Sequence, residues 1–448
     1  MGARFRSNDL RGSGGTLGFV LPVILENIFT TCIGLVASAI FGGISKSSLA
    51  AYGTGNQIVT CLMTLFNVVA TGASIRVALL TGKGDREHTS ATVTQAVLLV
   101  PLVGISAALI LFSVSVPTIR ILMPNAEAAF LKEGLDYYRM LLLSLPGLAV
   151  ANSFSSMLRS AGDTKTPLAG VMVTNLVQVL CAYIFVSRLE MGLIGAGISY
   201  VVGRYAGACV LIPAVFMHDK SFRVNRKRIF SFNRQIISEI VKIGVPAAID
   251  GFGIQAGYLL INTMMVGLGE LEASVYTVIF TLTNFTAIAQ MIVNVSCNAL
   301  VGHRVGAGQV REGRRTYMRI MLWGLVSVVI LSAVVMIKPS FFAGIFAKDE
   351  AVLESSAKLI WLSFLFGIPA VGVNASEPTV RVGGMGKEVM MSAISCVWLI
   401  RVPLTYLMCY PLDMGVTGVY LANSITCYAR CALAIYMIYS KKWGVKAV

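Results

Sequence analysis

LPVILENI at residues 21–28 and GVPAAIDG at residues 244–251 share one plan, a proline inside an apolar run with an acid four residues after it. Pro22 and Pro246 stand 224 positions apart, as do Glu26 and Asp250, in a chain of 448 residues. A separation of half the chain is the mark of an internal repeat. Other matches keep the register: Gly43 with Gly267, Tyr52 with Tyr276, Gly82 with Gly306 and Gly84 with Gly308. Further on it drifts by one or two positions. Pro146 pairs with Pro369, Arg159, Gly162 and Lys165 with Arg381, Gly384 and Lys387, and MGLIG at 191–195 with MGVTG at 414–418.

The repeated unit is too apolar for a soluble domain. Hydrophobic residues make up 56% of the chain and charged residues 13%, with a mean hydropathy of +0.78, whereas soluble domains carry about 25% charge. A cytosolic enzyme is excluded. Apolar runs of membrane-spanning length fall near 16–42, 49–75, 90–114, 134–158, 167–187, 195–217, 237–266, 275–299, 317–337, 357–380, 389–410 and 416–439. They are continuous instead of alternating, which predicts helices and not a barrel. The expected fold is an all-α polytopic membrane protein with twelve transmembrane helices in two pseudo-symmetric six-helix lobes. Its parts are a cytoplasmic tail at 1–15, an amino-terminal lobe at 16–217, a basic cytoplasmic linker at 218–236, a carboxy-terminal lobe at 237–440 and a second cytoplasmic tail at 441–448. Because six is even, both copies enter the membrane in the same direction and are parallel repeats.

The net charge of +15 does not point to nucleic acid, since the charges lie mostly between apolar runs and not on one basic face. Most of the 36 Lys and Arg fall on one side of the predicted spans, and the positive-inside rule then puts both termini in the cytoplasm. The most basic stretch, HDKSFRVNRKRIFSFNRQ at 218–235, reads as a linker solvated against anionic headgroups. None of the nine cysteines forms C-x-x-C, and the three histidines lie at loops or span ends, so neither a metal site nor a catalytic constellation is expected. RVGGMGKE at 381–388 is not a phosphate loop, because Arg381 and Glu388 stand where glycine and Ser/Thr are required. No cofactor is expected. The loops GKGDRE (82–87), RSAGDTK (159–165), GAGQVREGRR (306–315) and RVGGMGK (381–387) read as helix stops, and GFGIQAG at 251–257 as a helix-packing face.

Two acids fall near mid-membrane, Glu26 in span one and Asp250 in span seven. An ionisable group there is costly and is a functional candidate by default. Each lies one turn beyond a proline that frees backbone carbonyls, a setting that suits a proton or a small cation, so both are candidate ion-coupling residues. The plainer reading makes them ion-pair partners, with Arg204, Arg401 and Arg430 mid-membrane in spans six, eleven and twelve. Glu377 is expected to pair with Arg381 one turn on, and Arg159, Arg204, Arg381 and Glu377 are taken as structural charges. Candidate cavity residues are Tyr52, Asn56, Gln57, Asn67, Asn175, Tyr276, Asn284 and Arg401. Amides such as Gln178, Asn262, Gln290 and Asn294 equally serve to tie membrane helices together.

In their order along the chain, LPVILENI, SLAAYG (48–53), GASIRVALLTGKGD (72–85), SMLRSAGDTKTPL (156–168), GVPAAIDG, NALVGHRVGAGQVREGRR (298–315) and WLIRVPLTYL (398–407) resemble the multidrug and toxic compound extrusion (MATE) family, over residues 16 to 440. The resemblance implies a pair of six-helix lobes that exports amphipathic, often cationic, organic compounds in exchange for protons or sodium. It makes Asp250 the counterpart of a functional acid of span seven. Three family aspartates have no counterpart: Ala37 and Ala182 occupy two of the positions, and IPAVGVNAS from Ile368 covers the third. Glu26 restores an acid to span one, and a symmetric pair of acids suits either one organic cation or two protons. The expected function is a secondary antiporter of the plasma membrane, working as a monomer without nucleic-acid partners, with proton preferred to sodium. The alternative is a lipid-linked or anionic-metabolite flippase of the same superfamily, favoured if Arg204, Arg401 and Arg430 face the cavity instead of pairing with acids.

Overall fold

The computed structural model describes residues 18, 21–27, 29, 30, 33, 36, 40, 68–117, 128–217, 224, 231–344 and 349–444. Among them regular structure is helical throughout, with no strand. After helical residues 21–27 and 68–83 come α1 (Arg86–Ser113), α2 (Ala128–Leu143), α3 (Leu145–Ser160), α4 (Lys165–Ala182), α5 (Gly192–Met217), α6 (Arg234–Gly267) and α7 (Glu270–Ser296). They are followed by α8 (Val310–Ile337), α9 (Glu350–Leu359), α10 (Trp361–Val382), α11 (Gly386–Ser395), α12 (Val402–Cys409) and α13 (Gly415–Tyr439). π-helical turns Tyr183–Arg188, Cys297–Val301 and Cys396–Arg401 continue α4, α7 and α11.

Seven of the described helical runs are long and apolar enough to cross a bilayer, and two bent pairs bring the number to nine. One of these pairs, α9 with α10, turns through 47°. α6 has 34 residues, about 51 Å at 1.5 Å per residue, and is long enough as well; Asp250, Gln255 and Asn262 dilute its apolar run. Spans one and two lie largely outside the described residues.

The chain divides into two compact units, residues 1–245 and 246–448. Unusual backbone conformations recur between them at four matching places. Gly162 and Gly384 have φ of +97° and +85°, Gly84 and Gly308 both +74°, and Gly192 and Gly415 +57° and +51°. Even two non-glycine exceptions correspond, Glu190 at +52° and Asp413 at +50°. The same capping bonds recur as well. Gly162 N donates to Arg159 O and Asp163 N to Leu158 O, while Gly384 N donates to Arg381 O and Met385 N to Val380 O. Glycine takes the left-handed conformation without steric cost and closes the helix by bonding its last carbonyls.

Small residues set the closest helix contacts. Gly203 and Gly207 of α5, spaced as G-x-x-x-G, face α4. A Cβ at Gly203 would lie 2.8 Å from the Thr174 carbonyl oxygen, and one at Gly207 would collide with the Thr174 hydroxyl. In lipid there is no hydrophobic force between helices, so such close approach supplies the packing energy. Tyr137, Tyr138, Leu141, Phe154 and Met157 fill the core of the first unit. In the second, Ile261, Met265, Tyr276, Leu362, Val419 and Tyr420 cluster together. Trp443 is buried at the carboxy-terminal end, its indole N–H donating to the Thr379 carbonyl at 3.0 Å.

Replacing Gly207 with Leu is expected to lower stability by about 1–3 kcal/mol, the usual cost of overpacking; an unchanged Tm in detergent would mean that the α4–α5 contact yields freely. A second expectation concerns the start of α1, where Asp85 caps the helix by accepting the His88 N–H at 3.1 Å. That backbone bond, aided by the His88 ring and Lys83, holds the Asp85 carboxyl below its usual range. Asp85→Ala should speed hydrogen exchange at His88 and Thr89. In the wild type the capping contribution is complete above the ordinary aspartate value of about 3.9, and is lost as pH falls through the lower folded value.

Candidate functional site

The helix stops that repeat in the backbone also deliver the charges. Arg159 lies in the last turn of α3, three residues before Gly162, where a cation is favoured by the helix dipole. Its Nη1 donates to both carboxylate oxygens of Glu26, at 2.8 and 2.9 Å. Arg381 occupies the same place in α10, three residues before Gly384, and its Nη2 donates to Oδ2 of Asp250 on α6. The repeat therefore yields one acid–arginine pair in each unit, built from matching positions.

Among the described residues, the second unit alone extends its pair into a cluster. Glu377, one turn before Arg381, accepts from Nη2 of Arg381 at 3.4 Å and more closely from Arg430 of α13, whose Nε and Nη2 reach Oε1 at 3.0 and 2.7 Å. Arg430 Nη2 also lies 4.0 Å from Oδ1 of Asp250. Asp250, Glu377 and Arg430 are all buried. In the first unit the corresponding positions are Ser155 and Gly207, and among the described residues its acid has a single guanidinium and no second carboxylate beside it.

Two buried charges of opposite sign offset one another's desolvation only when geometry is good and their hydrogen-bonding groups are met. The two-acid, two-arginine cluster comes close to that balance, and Glu26 approaches it with both oxygens on one Arg159 nitrogen. The expected Glu377–Arg381 contact exists, but the shorter bonds of Glu377 go to Arg430. The arginines read from the sequence as mid-membrane partners divide three ways. Arg430 joins the cluster, Arg204 of α5 donates to Ser144 Oγ and lies 5.0 Å from the Tyr200 ring, and Arg401 lies 3.9 Å from the ring of Tyr258.

Of the candidate cavity residues, Asn175 is half-buried and donates to Thr30 Oγ1 at 3.4 Å; Thr30 in turn donates to the Glu26 carbonyl at 2.8 Å. Tyr276 is buried, stacked on Phe280 and tilted against Tyr420, each with ring centroids 6.0 Å apart. Tyr52, Asn56, Gln57, Asn67 and Ala37, and the side chain of Asn284, lie outside the described residues. Ala182 ends α4 and is fully buried. Amides do tie helices together: Asn374 of α10 donates to Gln290 Oε1 at 3.3 Å, and Asn294 donates to Asn374 Oδ1 at 3.5 Å. Asn374 was not singled out from the sequence, where a lone amide in an apolar run carries no signal of its partner. The partnership of Arg159 and Arg381 with the acids had a signal: acid and arginine recur together at almost the same shift.

Breaking one of these pairs leaves a buried charge without compensation. Arg381→Ala is expected to cost about 3–5 kcal/mol, and Arg381→Ala combined with Asp250→Asn distinctly less than the sum of the two single changes. A thermal double-mutant cycle in detergent measures this, and strict additivity would contradict the pairing. Arg159 and Glu26 should behave in the same way.

Three comparisons place this arrangement among known proteins. The MatE family profile matches residues 22–184 and 246–407, one copy in each half of the chain. The probable multidrug resistance protein NorM of Thermotoga maritima is 22% identical over 435 residues, covering 96% of this chain and 92% of its own. An outward-facing multidrug resistance MATE transporter superposes with a TM-score of 0.87 at 17% identity, over 98% of this chain and 97% of the other. A MOP-superfamily transporter of Pyrococcus furiosus, described as having a binding pocket of reversed polarity, gives a TM-score of 0.88 at 17% identity, over 97% of both chains. With its duplicated match and its all-helical, two-lobe, twelve-span architecture, the chain belongs to the MatE, or multidrug and toxic compound extrusion, family of multi-pass membrane transporters.

Proposed function

We propose that this transporter is a proton-coupled antiporter that exports amphipathic organic compounds, organic cations above all, across the plasma membrane by alternating access, with both termini in the cytoplasm. It works as a monomer, without catalysis and without a cofactor. The observation that carries the reading is the duplicated acid–arginine pair, Glu26 with Arg159 and Asp250 with Arg381. NorM of T. maritima, named a probable multidrug resistance protein, supports the class of cargo.

The chemistry follows from the balance of charge. Ionised, Asp250 holds Arg381. When Asp250 takes a proton the attraction is lost, and Arg381 keeps only the longer contact with Glu377, whose main partner is Arg430. An arrangement that favours the paired state before protonation and another state after it is a two-state element biased by one proton. An organic cation competes with the guanidinium for the same carboxylate, so proton and cargo exclude one another. The differential affinity drives exchange. Sodium is the less favourable coupling ion, because the carboxylates of both units are already engaged by arginines and a sodium ion needs several oxygens at once. The three family aspartates absent here leave Glu26 and Asp250 as the acids available to the exchange.

Ethidium accumulation in proteoliposomes under an imposed pH gradient tests the reading, with sodium absent and then present. Transport is expected without sodium and is expected to fall by about tenfold or more in Asp250→Asn, with a smaller loss in Glu26→Gln. Transport that requires sodium, or that is unchanged in Asp250→Asn, refutes proton coupling at this residue. Failure of ethidium to move under either gradient refutes cation export.

A further inference from the structure

Among the described residues of the second unit, Arg401 is a buried charge with no carboxylate at ion-pair distance. Arg401 ends the π-helical turn Cys396–Arg401 and is only 3% exposed. Asp250 and Glu377 lie against Arg381 and Arg430, so the two acids of the cluster are balanced by two other cations. Among the described residues no carboxylate lies within ion-pair distance of Arg401 and no acceptor takes a hydrogen bond from it. Its Nε is buried without a partner. The ring of Tyr258 lies 3.9 Å from its Cζ to the centroid. Beyond it the rings continue: Tyr258 meets Phe280 edge-on at 6.3 Å, and Phe280 stacks on Tyr276 at 6.0 Å.

A guanidinium carries five N–H donors and stays charged at any physiological pH. A ring face answers part of that charge but none of the donors. Taking such a group out of water with neither counter-charge nor acceptor costs several kcal/mol, a cost that an arriving oxyanion removes. Guanidinium forks match carboxylate, sulfonate and phosphate geometry with two parallel bonds. The place in the fold is also specific to this unit. At shifts of 222 and 223 the corresponding residues of the first unit are Val179 and Gln178, neither of them charged, and a π-helical insertion is a recurrent feature of functional positions.

We propose that Arg401, with Tyr258 and the aromatic rings beside it, forms an oxyanion subsite of the second unit that takes the acidic group of an aromatic amphiphile, the oxyanion on the guanidinium and the aromatic body against the rings. The proposal rests on the transporter reading only in treating this ligand as cargo. It adds to that cargo compounds that carry an acid, zwitterions included, for which the acid–arginine pairs by themselves provide no selection.

The test uses the full chain in lipid nanodiscs and isothermal titration with 2-naphthoate and its neutral analogue 2-naphthamide, empty nanodiscs serving as the blank. Saturable naphthoate binding is expected, with naphthamide weaker by about ten- to a hundredfold, the loss that goes with a charge-assisted pair of hydrogen bonds. Arg401→Gln should lose that preference and Arg401→Lys should keep part of it. Without ligand, Arg401→Gln should unfold at the same temperature as the wild type or higher, since it removes an unanswered charge. Three results overturn the proposal: equal binding of naphthoate and naphthamide, naphthoate binding that survives Arg401→Gln, or no saturable naphthoate binding to folded protein. A marked fall in Tm for Arg401→Gln also overturns it, by revealing a counter-charge within the protein. Ethidium transport by the same preparation reports separately on the antiport reading, so the two fail independently.

Discussion

A carboxylate surrounded by helices and hydrocarbon must have its charge answered, and that requirement organises both halves of this protein. Glu26 and Asp250 are each answered by an arginine that stands three residues before a left-handed glycine. The glycine ends the helix, the end of the helix places the arginine, and the length of the arginine side chain fixes how close the acid-bearing helix must pass. Helix stop, ion pair and helix packing are therefore one construction. A change at the pair disturbs the helix ends as well as the charge.

The two copies use this construction differently. In the first unit Glu26 has, among the described residues, one arginine partner whose Nη1 reaches both its oxygens, so the pair is either closed or open. In the second, Asp250, Glu377, Arg381 and Arg430 share their contacts, and losing one bond redistributes the others. Serine and glycine at the matching positions of the first unit explain the contrast: neither brings a charge, and Gly207 is instead used to let α5 approach α4. With Arg401, the described residues of the second unit include two buried arginines, Arg401 and Arg430, and the half-buried Arg381 beside the two buried acids.

A duplicated architecture also limits what each half has to encode. The turns at Gly84 and Gly308, at Gly162 and Gly384, and at Glu190 and Asp413 repeat to within about 12° in φ. These backbone conformations are demanded locally, by chain reversal and by the need to satisfy the last carbonyls of a helix. The side chains above them were free to diverge.

Much of this was legible before any coordinates. The spacing of Pro22–Glu26 and Pro246–Asp250 revealed the repeat, because apolar length and turn chemistry are local properties written in consecutive residues. The same local logic identified the helix stops and the helix-packing role of GFGIQAG, where Gly253 and Gly257 meet Ile394 and Val397. Partnership between distant charges was not legible in this way. Arg159 and Arg381 looked like loop-end cations, Arg430 looked like a partner for Asp250 or Glu26 instead of Glu377, and Arg401 looked like one partner among several. Which guanidinium reaches which carboxylate depends on the rotation and approach of helices more than a hundred residues apart, to within an ångström or two, a quantity no single segment contains. The sequence by itself determined a twice-repeated, helical membrane protein with an acid in each copy; the tertiary structure alone decided how each acid is neutralised and that Arg401 is left over.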